Sequence, residues 1–175
     1  MKNNNENNNK TNKKNMRMMM DIAYFVVLGF IFVTFVFGVS HNVVSGHSMD
    51  STLQDGQRLM STQFNNFVEE GDIVIATPEA MDGKRVIKRV IAMEGDTISF
   101  HDGVTKVNGV EIKEDYVFED EEAVLDGEFV VPDGHVWIMG DNRNNSIDSR
   151  YIGPVSMDDI EGEVILSIIP FKFVK

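Results

Sequence analysis

Thr97-Ile-Ser-Phe-His-Asp-Gly-Val-Thr-Lys-Val-Asn-Gly-Val-Glu-Ile112 decides the fold class. Three short runs rich in β-branched and aromatic residues, 97–100, 104–107 and 110–112, are separated by Asp102-Gly103 and Asn108-Gly109. Asn, Asp and Gly tolerate the positive φ that tight hairpin turns require, so this spacing predicts antiparallel strands joined by short turns. The pattern continues outward. Residues 72–76 and 85–93 are strand candidates before it, and 128–131, 135–139 and 163–169 after it. About eight short strands with little helical periodicity predict a mainly β domain with Greek-key or barrel-like closure.

The N-terminal part is different. The 18 residues from Ile22 to Val39 carry no charge. At 1.5 Å rise per residue they give about 27 Å of helix, enough to cross a bilayer core. A cleavable signal peptide is the rival reading. Its apolar region usually spans about 7–15 residues and ends at a small-x-small site, whereas this run is longer and Ser40-His41-Asn42 is a poor site. A retained anchor fits better. Residues 1–20 hold Lys2, Lys10, Lys13, Lys14 and Arg17 against Glu6. The positive-inside rule places that end in the cytoplasm and the remainder outside. The expected organisation is a disordered cytoplasmic tail over 1–20, a single transmembrane anchor over 21–40, and an extracytoplasmic domain over 41–175.

Composition removes several function classes. Beyond residue 20 the chain carries 11 basic residues against 27 acidic ones. That balance is wrong for nucleic acid and for a general electrostatic grip on anionic lipid. There are no cysteines, so disulfides and thiolate metal sites are excluded. The segment 113–128 is dense in Asp and Glu but lacks the ligand spacing and central Gly of a known Ca²⁺ loop, and reads as a solvated acidic loop. Residues 165–174 are apolar around Pro170 and too short to span a membrane. They read as a closing strand, with a bilayer-touching lip as the alternative.

Three segments carry the chemistry. Ser48 lies nine residues past Val39 in Val44-Ser45-Gly46-His47-Ser48-Met49. An extended chain of that length reaches at most about 30 Å, so this hydroxyl works close to the end of the apolar span. A serine is a weak nucleophile and needs a base within hydrogen-bond reach. His47 adjoins it and points to the other face of an extended chain. No Gly-x-Ser-x-Gly elbow is present, because Asp50 occupies its last position. Lys88 is the better base. On an alternating strand it shares one face with Val86, Val90 and Ala92, and burial there would lower its pKa into the range of a working base. The plainer reading of Lys88, and of Arg89 on the opposite face, is an amphipathic side chain reaching out to water. The third segment is Gly140-Asp141-Asn142-Arg143-Asn144-Asn145-Ser146-Ile147-Asp148-Ser149-Arg150. It has turn composition, with Asp148 able to pair with Arg143 or Arg150 and Ser146 able to orient an amine.

Taken in order, these segments resemble the bacterial type I signal peptidases, in the short form of Gram-positive bacteria. Residues 45–53 are similar to the nucleophile segment of that family, Gly71-Asp72-Ile73-Val74 to its next strand, residues 88–96 to its lysine segment, and 140–150 to its last motif. The resemblance implies a membrane-bound serine endopeptidase with a Ser-Lys dyad, no cofactor and no metal. Such an enzyme would remove signal peptides from exported preproteins by cutting after a small-x-small site. Ser48 would be the nucleophile and Lys88 the general base. Ser146 would orient the Lys88 amine, and Asp141, Arg143, Asp148 and Arg150 would support the loop. The Ser48 N–H would donate to the oxyanion, with Gly46 at the position where some relatives supply a second donor from Ser. Val43, Val44, Met49, Val86 and Val90 are expected to wall the substrate pockets. The implied partners are signal peptides and the lipid bilayer, with no nucleic acid. Two departures stand out: Ser51 where the family has Pro, expected to loosen the segment, and Ala92 where Gly is usual. The alternative is a silent relative that binds signal peptides or assists another peptidase. A self-cleaving repressor would need a DNA-binding module, which residues 1–42 lack.

Overall fold

A computed structural model describes the backbone of residues 2–63, 68–117, 125–169 and 171–174. The chain separates into two units, Met1–Val39 and Ser40–Lys175. The first is the helix α1 (Lys2–Gly38). Within it, Lys13–Val33 is long and apolar enough to cross a membrane, and its side chains bury nothing inside the unit. Phe25, Val26, Phe30 and Phe32 are all exposed, an outer surface that suits lipid. The helix begins at Lys2, where the sequence reading expected a disordered tail. Once an apolar segment has nucleated a helix, adding further residues fixes only one at a time, so propagation can carry into a polar flank.

In the second unit the described residues form twelve strands, counted from β1 (Val39–Val43), whose first residue closes the preceding unit. The large sheet runs in the order β1, β2 (Arg58–Thr62), β11 (Ile160–Ile169), β3 (Ile73–Ala76), β4 (Val86–Ala92), β9 (His135–Met139), β10 (Val155–Ser156). β12 (Phe171–Phe173) pairs antiparallel with β11. The small sheet runs β7 (Val110–Glu111), β6 (Val104–Val107), β5 (Thr97–His101), β8 (Gly127–Val130). The double hairpin read from Asp102-Gly103 and Asn108-Gly109 is therefore this small sheet. Asp102 and Asn108 both adopt positive φ, as those turns demand.

The fold is mainly β, as expected, with more strands than the sequence disclosed. β1, β2 and β10 escaped notice because their alternation is short or mixed with polar residues. The apolar C-terminus is a pairing strand: Val174 is buried against Val44, Leu59 and Ile73. Pro170, and Glu119 to Glu122 of the acidic segment, lie outside the described residues. Among the described residues no group of acidic or His side chains could hold a metal ion.

Two features position the site. β4 is central, between β3 and β9, and its residues 88–92 are all buried. β11 lies against β2 so closely that a Cβ on Gly162 would sit 1.8 Å from the Thr62 carbonyl oxygen, which only glycine permits. The two sheets meet at an apolar core in which Trp137 lies 5.8 Å from Phe100 and 5.5 Å from Phe129, centroid to centroid. Ala92 is part of that core.

Candidate active site

Ser48 sits in a turn just after β1. The turn is closed by Asp50 N–H donating to the His47 carbonyl and Leu53 N–H to that of Met49. Met49 and Leu53 are fully buried, so core packing pins the turn while Ser48 stays half-exposed at a cleft. β4 delivers Lys88 to the same place. Its Nζ lies 2.6 Å from Ser48 Oγ and 3.1 Å from the Ile87 carbonyl oxygen. Lys88 is only 3% exposed. Loss of water is the dominant influence on its amine, with Asp148 and Asp141 opposing and Lys84 and Arg150 assisting. The net result lowers the pKa from 10.5 to about 8. Lys88 carries a buried, partly neutral amine and is not the outward-reaching lysine that strand statistics favour.

The loop after β9 closes the site. Asp148 caps α2 (Ser149–Ile152), accepting from the Arg150 N–H. Its carboxylate also accepts from Gly140 N–H at 2.9 Å and from Arg150 Nε and Nη2, both at 2.9 Å. Burial opposes ionisation of Asp148, but the Arg150 guanidinium and the Gly140 N–H outweigh it and hold the carboxyl below its usual range. Asn142 joins this loop to the Ser48 turn. Its backbone N–H donates to the Ser48 carbonyl at 3.0 Å and its side chain to that of His47 at 3.0 Å. The loop passes so near that a Cβ on Gly140 would lie 2.3 Å from Ser146 Oγ and 2.5 Å from the Ser48 carbonyl oxygen.

Several expectations are corrected. Ser146 lines the cleft and its hydroxyl bears on the Asp148 carboxyl, while the Lys88 amine contacts Ser48 Oγ and the Ile87 carbonyl oxygen. The Gly46 N–H donates to Asp55 Oδ1 at 2.8 Å, so it is committed elsewhere. Among the described residues the Ser48 N–H donates to no backbone carbonyl. Ser51 is not loose. It adopts φ 92°, and its hydroxyl donates to the Tyr116 carbonyl. Of the expected pocket walls, Val43, Val44, Met49 and Val86 line the cleft, which has a volume of about 580 Å³. Val90 does not; it is fully buried in the core with Val74 and Ile138, because the middle of a central strand is covered on both faces. Ile87, Ile147 and Tyr151 line the cleft and were not singled out.

The ionic partners behind the site were only half legible. Asp148 pairs with Arg150, one of its two candidates. Arg143 pairs instead with Glu114, and Asp141 with Arg89 through Nε at 2.9 Å and Nη2 at 2.7 Å. Arg89 also donates to the Gly71 carbonyl at 2.7 Å and lies 4.0 Å over the Tyr116 ring. An arginine inside an apolar strand was the available signal, since Arg is the cation suited to buried, bidentate and stacked settings.

Comparison with known proteins gives a consistent result. The family model described as "Signal peptidase, peptidase S26" matches residues 16–169. A signal peptidase I of Bacillus licheniformis is 37% identical over 148 residues, covering 76% of this chain and 78% of that protein. Subunit 1 of the mitochondrial inner membrane protease of Mus musculus is 34% identical, covering 73% of this chain and 68% of that one. A crystal structure of a signal peptidase I from Enterococcus faecalis V583 is 32% identical, with a TM-score of 0.49, covering 55% of this chain and 95% of that chain.

Proposed function

We propose, for a chain that belongs to the signal peptidase family, peptidase S26, that it removes signal peptides from exported preproteins with Ser48 as nucleophile and Lys88 as general base. The observation that carries the reading is the part-buried 2.6 Å contact between Lys88 Nζ and Ser48 Oγ. When the amine is neutral, Oγ donates along that contact. Ser48 Oγ attacks the scissile carbonyl carbon while its proton passes to Lys88 Nζ. Negative charge collects on the carbonyl oxygen, and the Ser48 N–H is the donor this reading assigns to it. Such a donor is typically worth about 10²–10³ in rate. The Lys88 ammonium then protonates the departing amine, leaving an ester on Ser48. Water, deprotonated by Lys88, hydrolyses that ester and restores both groups.

The substrate reading has separate support. Val43, Val44 and Val86 give the cleft apolar walls, suited to an extended peptide that places small side chains in shallow pockets. Those walls support a preference for cutting after a small-x-small site. The protein is membrane-anchored by α1, and the basic residues before the apolar run favour a cytoplasmic N-terminus with the catalytic unit outside.

The test is to incubate the detergent-solubilised protein with a model preprotein and read the new N-terminus by mass spectrometry. Cleavage after a small-x-small site is expected, lost in both Ser48→Ala and Lys88→Ala and unchanged by a chelator. Cleavage surviving in Lys88→Ala would overturn the base assignment. A silent relative would show no cleavage at all.

A further inference from the structure

Ser48 and Lys88 come from different elements, a turn and a central strand, yet they meet at 2.6 Å. Three contacts that bear on that meeting converge on one short segment outside every motif so far assigned a role. Glu114 accepts from Arg143 through both terminal guanidinium nitrogens, with Nη1 at 2.8 Å. The Tyr116 ring carries the Arg89 guanidinium at 4.0 Å, and Arg89 is the residue next to Lys88. The Tyr116 carbonyl accepts from the hydroxyl of Ser51, three residues after Ser48. The segment therefore touches the nucleophile turn, the base strand and the loop between Gly140 and Arg150.

The segment is braced from within and at its root. Tyr116 Oη donates to Glu114 Oε1 at 2.7 Å, and Val117 N–H donates to the Glu114 carbonyl at 2.9 Å. Ile112, just before it, packs on the core between the two sheets. Arg89 and Arg143 are each 2% exposed, so water screens these contacts little. Neither Glu114 nor Tyr116 lines the cleft.

We propose that residues 114–116 are a positioning arm, by which the small sheet holds the nucleophile turn and the base strand in register from the side away from the substrate. Adjacent side chains on a strand point to opposite faces, so a hold on Arg89 acts on Lys88 without meeting the peptide. The arm fixes both the approach of the two reacting groups and the dryness around the amine.

The inference rests on the Ser48–Lys88 reading, and its test separates the two. In the full chain, Tyr116→Ala removes the ring under Arg89, while Tyr116→Phe keeps it. Expected for Tyr116→Ala is about a tenfold fall in kcat with KM within about twofold, since small misplacements act on the reacting geometry. The acidic limb of the kcat profile should also move to higher pH as Lys88 gains water. Tyr116→Phe should restore the limb, and Glu114→Gln should shift it in the same direction as Tyr116→Ala. The Lys88 titration is read independently by carbon NMR of labelled lysine, its signal assigned by its loss in Lys88→Met. A Lys88 titration in Tyr116→Ala identical to the parent's overturns the arm, whether or not activity falls. A parent protein that cuts no preprotein overturns the Ser48–Lys88 reading and leaves the NMR comparison intact.

Discussion

Lys88 holds its amine where an ammonium is poorly solvated, and this sets both rate and stability. In the proposed mechanism only the neutral amine accepts the Ser48 proton. With a pKa near 8, kcat should rise with pH and reach half its plateau close to pH 8, falling about tenfold per unit well below it. The stability effect has the same origin. The folded-state pKa lies below the unfolded value of 10.5, so the penalty is fully present below about pH 8 and fades as pH rises to 10.5. Lys88→Met should therefore abolish cleavage yet raise unfolding stability at pH 7 by on the order of 1–3 kcal/mol, a gain that shrinks in alkali and is measurable by urea titration. Ser51 gives a second prediction. Its φ of 92° is out of reach for proline, which is fixed near −65°. Restoring the proline usual in the family should destabilise the protein by at least about 1 kcal/mol and lower kcat, as thermal unfolding and a cleavage assay would show. A family comparison of residue types would forecast the opposite. The sequence showed which residue departs but not the backbone angle it occupies.

The element that closes the site is the loop between Gly140 and Arg150. It hooks the nucleophile turn through Asn142 and is pinned by buried Asp148–Arg150 and Arg143–Glu114 pairs. Its turn composition could be read from local spacing, and the partner of Asp148 only as a choice between Arg143 and Arg150. The contacts with Glu114 and with His47 could not, because they span 29 and 95 residues of chain. Gly140 shows how tightly the elements are packed. In Gly140→Ala the new methyl would meet Ser146 Oγ and the Ser48 carbonyl, and both elements would have to separate. The expected cost is about 1–3 kcal/mol of stability. The larger effect should be on kcat, down about 10²-fold with KM little changed, because Ser48, the proposed nucleophile, is displaced from Lys88. Parallel unfolding and steady-state measurements on one preparation distinguish the two contributions.

At the scale of the whole molecule, the orientation proposed from the apolar helix and its basic flank can be tested cleanly, since the chain has no cysteine. Asp158→Cys, at an exposed position of the catalytic unit, should react with a membrane-impermeant maleimide on intact cells. Lys2→Cys should react only after the cells are opened. The reverse pattern would sink the proposed orientation. By itself the sequence determined the mainly β class, the apolar anchor, and the candidacy of Ser48 and Lys88. Those features are written in local periodicity, in turn residues such as Asp102-Gly103 and Asn108-Gly109, and in side-chain type. Only the tertiary structure decided that Lys88 is buried, that Val90 belongs to the core, that Gly46 is committed to Asp55, and that Arg89, Glu114 and Tyr116 stand behind the site. Each of these depends on which distant strand or loop lies alongside. Solvent exclusion and charge pairing are properties of that neighbourhood, and no local pattern along the chain encodes them.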